Sequence, residues 1–230
     1  MNQKLTYKDR ISQNLYFFVP YIIFLIFGAV ILVNTQKGDV LLTINNYHNT
    51  FLDNYFVFFS ILGEGGYFGI FLLFMALYRI KHLFNGVILY LAGGAVTQIL
   101  KRIFNDPRPI SYFADTVNLY LVDGITIHSW NSFPSGHSVS GFTIFLFFAF
   151  LTKSKPLGLV YFFLAFSVAL SRVYLVQHFF IDIYFGSIIG VLTTLILMNI
   201  FDNSQKLNNS KWYNYSLVEN KISFLKFKKN

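Results

Sequence analysis

Six long apolar segments constrain the fold of this chain more than any other feature of its sequence. They run over about 15–33, 56–78, 83–104, 137–152, 157–175 and 179–201. Each is close to the ~20 residues that an α-helix needs to cross a bilayer. Only 12% of the residues are charged, against roughly 25% in soluble domains. The pattern predicts an all-α integral membrane protein with six transmembrane helices. Residues 1–230 would form one domain, with a core over about 15–201 and a basic cytoplasmic tail over 202–230.

The placement of the basic residues predicts the orientation of the helices. With both termini in the cytoplasm, 13 of the 18 Lys and Arg residues lie on the inner side, as the positive-inside rule requires. No convincing cleavage site follows the first segment, so we interpret it as an uncleaved helix, which Pro20 is expected to kink. The net charge of +8 lies mainly in the tails, which favours anionic lipid headgroups over nucleic acid as partners. These features predict a multi-pass protein of the cell inner membrane.

The region between the first two apolar segments has a different pattern. Over 40–55, apolar residues recur at helical spacing among polar ones. This predicts a single amphipathic helix that lies on the outer surface of the membrane.

Basic residues on the outer side are few and grouped. Four of the five fall within 101–108 or at Arg172. Ionisable groups beside membrane segments are costly, so each is a candidate functional group. Lys101 and Arg108 belong to KRIFNDPRP, where two prolines hold Arg108 in an extended segment. In the structural alternative, Lys101 and Arg102 only extend toward lipid headgroups.

A second polar group precedes the fourth apolar segment, in the stretch FPSGHSVSG over 133–141. Ser135 is expected to cap this helix, and the free amides of the first turn then form an anion-binding site together with the helix dipole. His137 lies within that turn. The plainer alternative is a helix cap beside an interfacial histidine.

The third polar group lies between the last two apolar segments. Arg172 ends one, His178 begins the next, and Asp182 follows His178 by four residues, on the same helix face. A carboxylate at that position fixes the tautomer of the imidazole and stabilises the imidazolium. Two alternatives are a structural ion pair between helices and a metal site formed by His178, Asp182 and His137.

Together the three groups supply three cations, the amides of a helix N-terminus and two histidines on one face. Three cations at one place repel each other unless an anion lies among them, and a phosphoryl group suits that arrangement. The same cations disfavour a divalent metal, and the absence of cysteine from the chain excludes thiolate zinc sites and cysteine nucleophiles. Two histidines can divide the chemistry, one attacking phosphorus and the other protonating the leaving oxygen.

The order and spacing of these residues resemble the three-part signature of the type 2 phosphatidic acid phosphatase (PAP2) superfamily. The matching stretches are Lys101-x6-Arg108-Pro109, Pro134-Ser135-Gly136-His137 and Ser171-Arg172-x5-His178-x3-Asp182. That superfamily also contains soluble acid phosphatases and vanadium haloperoxidases, but the six apolar segments resemble its membrane lipid phosphatases. The resemblance implies a PAP2-like helical bundle, a lipid phosphate as substrate, and no metal or other cofactor.

The resemblance also implies a role for each matching residue. His178 resembles the nucleophile that forms a phosphohistidine, and Asp182 resembles its orienting carboxylate. His137 resembles the general acid for the leaving group and then the base that activates water. Phosphate binding is implied for Lys101, Arg108, Ser135, Gly136 and Arg172.

Two further features lie outside the signature. Glu64, in LGEGGYFG, is expected near the outer end of the second segment. There it either contacts substrate or an active-site cation, or it has no catalytic role. The loop over 110–132 either caps the site and selects the headgroup, or only connects two segments.

The predicted function is hydrolysis of a phosphate monoester or diphosphate on a lipid at the outer, periplasmic leaflet. Candidate substrates are lipid A, undecaprenyl diphosphate, phosphatidylglycerol phosphate and phosphatidic acid. The alternatives are a lipid-to-lipid phosphotransferase, a metal-dependent hydrolase and, from another class, a non-enzymatic transporter of anionic lipid.

Overall fold

A computed structural model describes residues 5–114, 116–216 and 218, so the last part of the predicted basic tail, residue 217 and residues 219–230, lies outside the described residues. Within these ranges the regular elements are helices. One isolated β-bridge pairs Pro107 with Trp130. The prediction of an all-α chain is confirmed. The helices are α1 (Tyr7–Ser12), α2 (Leu15–Asn34), α3 (Asp39–Asn45), α4 (Thr50–Leu62), α5 (Gly65–Tyr78), α6 (Ile80–Phe104), α7 (Pro109–Tyr112), α8 (Gly136–Leu151), α9 (Leu157–Tyr174), α10 (Phe180–Asn203) and α11 (Gln205–Asn208).

Four of the described helices are long and apolar enough to cross a membrane. These are α2, α6, α9 and α10, which coincide with four of the predicted segments. The helix α2 continues through Pro20 as one element. A fifth span is possible if α4 and α5, which meet at a bend of 57°, cross the bilayer together.

The segment predicted over 56–78 is therefore broken rather than straight. The break falls at Gly63 and Glu64, between α4 and α5. Glycine is a weak helix former, and a Cβ on Gly63 would lie 2.7 Å from a methyl carbon of Val168 in α9. The bend thus occurs where the chain approaches α9 too closely for any side chain.

The prediction of a single surface helix over 40–55 is wrong. Only α3 occupies the first half of that range, and residues 50–55 are the first turns of α4. The physical reason is a helix cap, because the Asn49 side chain accepts a hydrogen bond from the backbone N–H of Leu52 at 3.0 Å. Asn, like Asp and Ser, is a favoured N-cap residue, so the polar residues around 49 start a new helix.

The helix α8 lies at the centre of the bundle, packed against α6, α9 and α10, and most of its residues are buried. Its 16 residues extend about 24 Å, less than the ~30 Å hydrocarbon core. The six-span topology therefore stays a prediction. Close packing against α10 depends on Gly186 and Gly190, where a Cβ would lie 2.8 Å from the Ser135 carbonyl oxygen and 2.5 Å from that of Val139. Small residues at this spacing let membrane helices approach closely.

The N-terminal helix α1, which leads into α2, is bonded to the end of α10. Arg10 of α1 donates to the Asp202 carboxylate at 2.5 Å and to the Met198 carbonyl oxygen at 2.9 Å. The Asn203 side chain donates to the Leu5 carbonyl oxygen at 2.8 Å. The end of α6, the start of α8, the end of α9 and the start of α10 lie at the opposite end of the bundle, and these carry the three polar groups.

Candidate active site

The turn between α9 and α10 positions His178. Val176 adopts a left-handed conformation with φ of 57°, unusual for a β-branched residue. The backbone N–H groups of Gln177 and His178 both donate to the Arg172 carbonyl oxygen, at 2.9 and 3.0 Å. These bonds end α9 and turn the chain directly into α10, so Arg172 and His178 are held at a fixed separation.

Asp182 orients the His178 ring. Its Oδ2 atom lies 3.3 Å from His178 Nδ1, and it also accepts from the Phe179 backbone N–H at 2.9 Å and from the Ser132 hydroxyl at 2.5 Å. With Nδ1–H donating to the carboxylate, Nε2 carries the lone pair. The geometry therefore suits His178 to act as a nucleophile through Nε2.

The three cations of the signature bind neutral oxygens in this structure. Arg108 donates to the Trp130 carbonyl oxygen at 3.0 Å and to Gln177 Oε1 at 3.0 Å. Lys101 Nζ donates to the Asn131 carbonyl oxygen at 2.7 Å. Arg172 donates to the Ser60 hydroxyl, and its buried Nε has no partner among the described residues.

These cations make no direct ion pair with an acid, although Asp182 and Glu64 lie within electrostatic range of them. Arg108 and Arg172 are each only 8% exposed, and no ion pair within the described residues joins Lys101, Arg108 or Arg172 to a carboxylate. Buried charges need a partner of opposite sign. The arrangement can therefore bind an anion between α6, α8 and the α9–α10 turn.

Burial and positive charge keep His178 neutral. The side chain is 2% exposed. Burial, followed by the nearby charges of Arg108, Lys101 and Arg172, holds the pKa of His178 well below its usual range. An unprotonated imidazole is the nucleophilic form.

The start of α8 completes the site from the other side. The Ser135 Oγ accepts from the Ser138 backbone N–H at 3.4 Å, so the predicted N-cap is confirmed. The Ser135 backbone N–H donates to the Asp182 carbonyl oxygen at 3.1 Å, which ties the start of α8 to α10. Gly136 and His137 form the first turn, and His137 is within electrostatic range of His178 and the three cations.

Two adjoining cavities open beside these residues. One, of about 480 Å³, is lined by Lys101, Arg102 and Arg108 together with the loop residues 128–131. The other, of about 290 Å³, is lined by His137, Gly136 and Glu64 with parts of α6 and α8. We call them the cationic cavity and the His137 cavity. Gln98 lines both.

The structure brings the signature residues together and places Glu64 beside them. Glu64 stands at the break between α4 and α5 and lines the His137 cavity. Glu64 makes no direct ion pair with a cation within the described residues, but its carboxylate lies within electrostatic range of Arg172, so its pairing with an active-site cation stays a prediction.

Sequence reasoning missed three polar side chains that hold the site. Ser60 binds Arg172, Ser132 binds Asp182, and Gln177 binds Arg108 while its amide donates to the Thr126 carbonyl oxygen at 3.0 Å. Gln177 and Ser132 are fully buried. The sequence signal that could have found them is a polar residue inside or beside an apolar run, because burying a polar group without a hydrogen-bond partner is costly.

The end of the 110–132 loop is part of the site. Its last residues supply the carbonyl oxygens that bind Lys101 and Arg108 and the hydroxyl that binds Asp182. No group of three His, Asp or Glu side chains within 5–114, 116–216 and 218 is arranged as a metal site.

The family of the chain is shown by its match to a family model. The model of the PAP2 superfamily matches residues 82–206, which is 125 of the 230 residues and includes the whole three-part signature. The chain belongs to the PAP2 superfamily. The resemblance inferred from Lys101 to Asp182 is thereby confirmed.

Individual relatives agree with this assignment. Over 103 residues the chain is 38% identical to the bacitracin transport permease protein BcrC of Bacillus licheniformis. That match covers 44% of this chain and 48% of the relative, so the chain spans about half the length of this curated protein.

Two crystal structures resemble the fold. Aquifex aeolicus LpxE is 26% identical with a TM-score of 0.62, covering 73% of this chain and 98% of that one. The transmembrane PAP2-type phosphatidylglycerolphosphate phosphatase of Bacillus subtilis is 23% identical with a TM-score of 0.59, covering 86% and 99%. This PAP2 protein is thus a multi-pass membrane protein, and the regular elements of its described residues are helices.

Proposed function

We propose that the protein is a lipid phosphatase that removes a phosphate monoester or a terminal phosphate through a phosphohistidine at His178. One observation carries the proposal. A buried, neutral imidazole held by Asp182 lies within electrostatic range of three cations that lack a carboxylate partner within the described residues. A phosphoryl group supplies the missing negative charge and the electrophile together.

In the first step, His178 Nε2 attacks phosphorus while the bond between phosphorus and the lipid oxygen breaks. Lys101, Arg108 and Arg172 stabilise the charge on the non-bridging oxygens, together with the Ser135 side chain and the Gly136 amide. His137 gives a proton to the leaving oxygen. The lipid leaves as an alcohol, or as a monophosphate when the substrate is a diphosphate.

In the second step, water attacks the phosphohistidine. His137, now neutral, takes a proton from the water as the N–P bond breaks. Inorganic phosphate forms and His178 recovers its lone pair. Asp182 stabilises the positive charge on the imidazole in both steps.

The proposal includes a topology of six spans with both termini in the cytoplasm of a bacterial inner membrane. In support, Arg10 of α1 and Asp202 of α10 form an ion pair at one end of the bundle, and the signature residues lie at the opposite end. With the Arg10–Asp202 end in the cytoplasm, as the positive-inside rule favours, the site would face the outer, periplasmic leaflet. Accessibility labelling of single cysteines placed beside Arg10 and beside Trp130 in sealed vesicles tests this orientation.

The substrate is proposed from lipid A, undecaprenyl diphosphate, phosphatidylglycerol phosphate and phosphatidic acid. Purified protein in detergent should release inorganic phosphate from at least one of them, and His178→Ala should abolish the release. We propose that no metal is needed because the cations supply the electrostatic stabilisation. Full activity in the presence of a chelator is the expected result, and loss of activity restored by a metal would contradict it.

A second activity uses the same geometry. If another lipid rather than water attacks the phosphohistidine, the protein is a phosphotransferase. Phosphate release without an acceptor lipid separates the two. A transport role is suggested by the name of the Bacillus licheniformis relative, and it predicts that His178→Ala retains function.

A further inference from the structure

The cationic cavity and the His137 cavity, which share Gln98, differ in charge. The cationic cavity is lined by Lys101, Arg102, Arg108 and His128. Among the described residues that line the His137 cavity there is no Lys or Arg, and Glu64 is the acidic one. The charge of the lining therefore favours a phosphate in the cationic cavity, whereas Glu64 disfavours a second negative charge in the His137 cavity.

The His137 cavity lies where the leaving part of the substrate must go. His137 protonates the leaving oxygen in the proposed mechanism, so atoms bonded to that oxygen lie next to the His137 ring. Gly63 packs against the same ring, since a Cβ at Gly63 would lie 3.0 Å from His137 Cδ2. The break between α4 and α5 thus forms one wall of the space that the leaving group enters.

The break is held in place from several sides. Ser140 of α8 donates to the Gly63 carbonyl oxygen at 2.8 Å. On the other side of the break, a Cβ at Gly65 would overlap the Tyr90 hydroxyl at 2.1 Å. Glycines on both sides of Glu64 therefore let the backbone approach α6, α8 and α9 closely. As a result Glu64 lines the cavity instead of projecting along a continuous helix.

We infer that Glu64 is a specificity-determining residue that binds a hydroxyl group on the leaving part of the substrate. An ionised carboxylate accepts hydrogen bonds and donates none. It stabilises a leaving group that carries hydroxyls, such as a polyol or a sugar, and it repels a leaving group that is itself a phosphate. The preferred substrate is thus a phosphate monoester on a hydroxyl-bearing headgroup rather than a lipid diphosphate. This inference rests on the proposed phosphatase function.

The test compares three lipids on the same purified protein in detergent. Phosphatidylglycerol phosphate has a leaving glycerol unit with a free hydroxyl, and phosphatidic acid with identical acyl chains has none. Undecaprenyl diphosphate has a phosphate in the leaving part. The measured quantity is kcat/KM for phosphate release from each, in the unmodified protein, in Glu64→Gln and in Glu64→Ala.

The unmodified protein should prefer phosphatidylglycerol phosphate to phosphatidic acid by about tenfold or more, the effect of a hydrogen bond to a charged group. Glu64→Ala should remove this preference. Glu64→Gln should raise kcat/KM for the diphosphate by several-fold, because the amide keeps the shape and loses the charge. Asp123→Asn is the matched control, since Asp123 is an exposed outer carboxylate that lines neither cavity.

The outcomes separate the two proposals. If the ratios among the three lipids are the same in all variants, or if Glu64→Ala lowers every rate equally, the inference is overturned while the phosphatase function stands. If the unmodified protein releases phosphate from none of a wider lipid panel, the proposed function fails and the inference falls with it. Because each ratio is measured within one preparation, partial misfolding of a variant cancels.

Discussion

Ser132 is not part of the superfamily signature, yet its hydroxyl lies 2.5 Å from the carboxylate that orients His178. Ser132→Ala removes that bond and leaves Asp182 Oδ2 with the Phe179 N–H and the His178 ring. A hydrogen bond to a charged group contributes about 1.5–3 kcal/mol. Because alanine introduces no clash, we expect the free energy of unfolding to fall by about that amount.

Loss of the Ser132–Asp182 hydrogen bond should also lower kcat. A carboxylate with one fewer bond rotates more freely and orients the imidazole less well. If the full energy is expressed in the transition state, kcat falls about 10- to 100-fold, since each 1.36 kcal/mol is a factor of ten. KM should change little, because the Ser132 side chain donates to Asp182 and not to the phosphate.

The assay is phosphate release from the best lipid substrate, with thermal unfolding in detergent as the measure of stability. Ser111→Ala, in the short helix α7 of the same connection, is the control, because no hydrogen bond of the Ser111 side chain is found within the described residues. A fully active Ser132→Ala protein would refute the argument that this bond positions the nucleophile. A rise in KM at unchanged kcat would show that Ser132 acts on substrate binding instead.

Three more predictions follow from the geometry of the site and its supports. Gln177→Glu places a carboxylate 3.0 Å from Arg108 Nη1, so KM should rise about tenfold, as for one lost charge-assisted bond, and inhibition by inorganic phosphate should weaken. Gly190→Ala forces a Cβ to within 2.5 Å of a backbone oxygen in α8, so Tm should fall, with a cost of about 1–3 kcal/mol. The lowered pKa of His178 keeps the imidazole neutral as pH falls through about 6.5, so the acid limb of kcat/KM that reports His178 should lie below that pH.

Each of these has a matched control. Gln177→Met should perturb stability without adding a negative charge, so an equal rise in KM would contradict the charge argument. Gly69→Ala meets nothing within 4 Å and should leave Tm unchanged or higher; a fall equal to that of Gly190→Ala would show that close packing is not the cause. Arg108→Gln removes a charge that lowers the pKa of His178, so the acid limb should move to higher pH, and no movement would refute the electrostatic cause.

The grouping of the signature residues was readable from the sequence because each lies where an apolar segment ends. Hydrophobicity sets the ends of spans, and alternating spans bring every second end to the same side. Lys101, Ser135, Arg172 and His178 therefore fall at one end of the bundle once the segments are known. The four-residue spacing of His178 and Asp182 likewise follows from helix geometry.

Partners that depend on loop conformation were not readable in this way. Ser132 reaches Asp182 across 50 residues, and the Gln177 amide reaches the Thr126 carbonyl across 51. Neither periodicity nor propensity reports where a loop folds back. The break at Gly63–Glu64 was missed for a related reason, since hydropathy measures apolar character and not the close approach of α9 that the glycines allow.

The pair between Arg10 and Asp202 bears on how the protein is made. The two residues are 192 positions apart, and ribosomes add about 5–20 residues per second. Arg10 therefore waits roughly 10 to 40 s for its partner to be synthesised. During that time α1 lacks its contact with the last long helix. The contact between α1 and α10 can therefore form only after Asp202 has been synthesised, so a link made by the first helix is among the late contacts of the bundle.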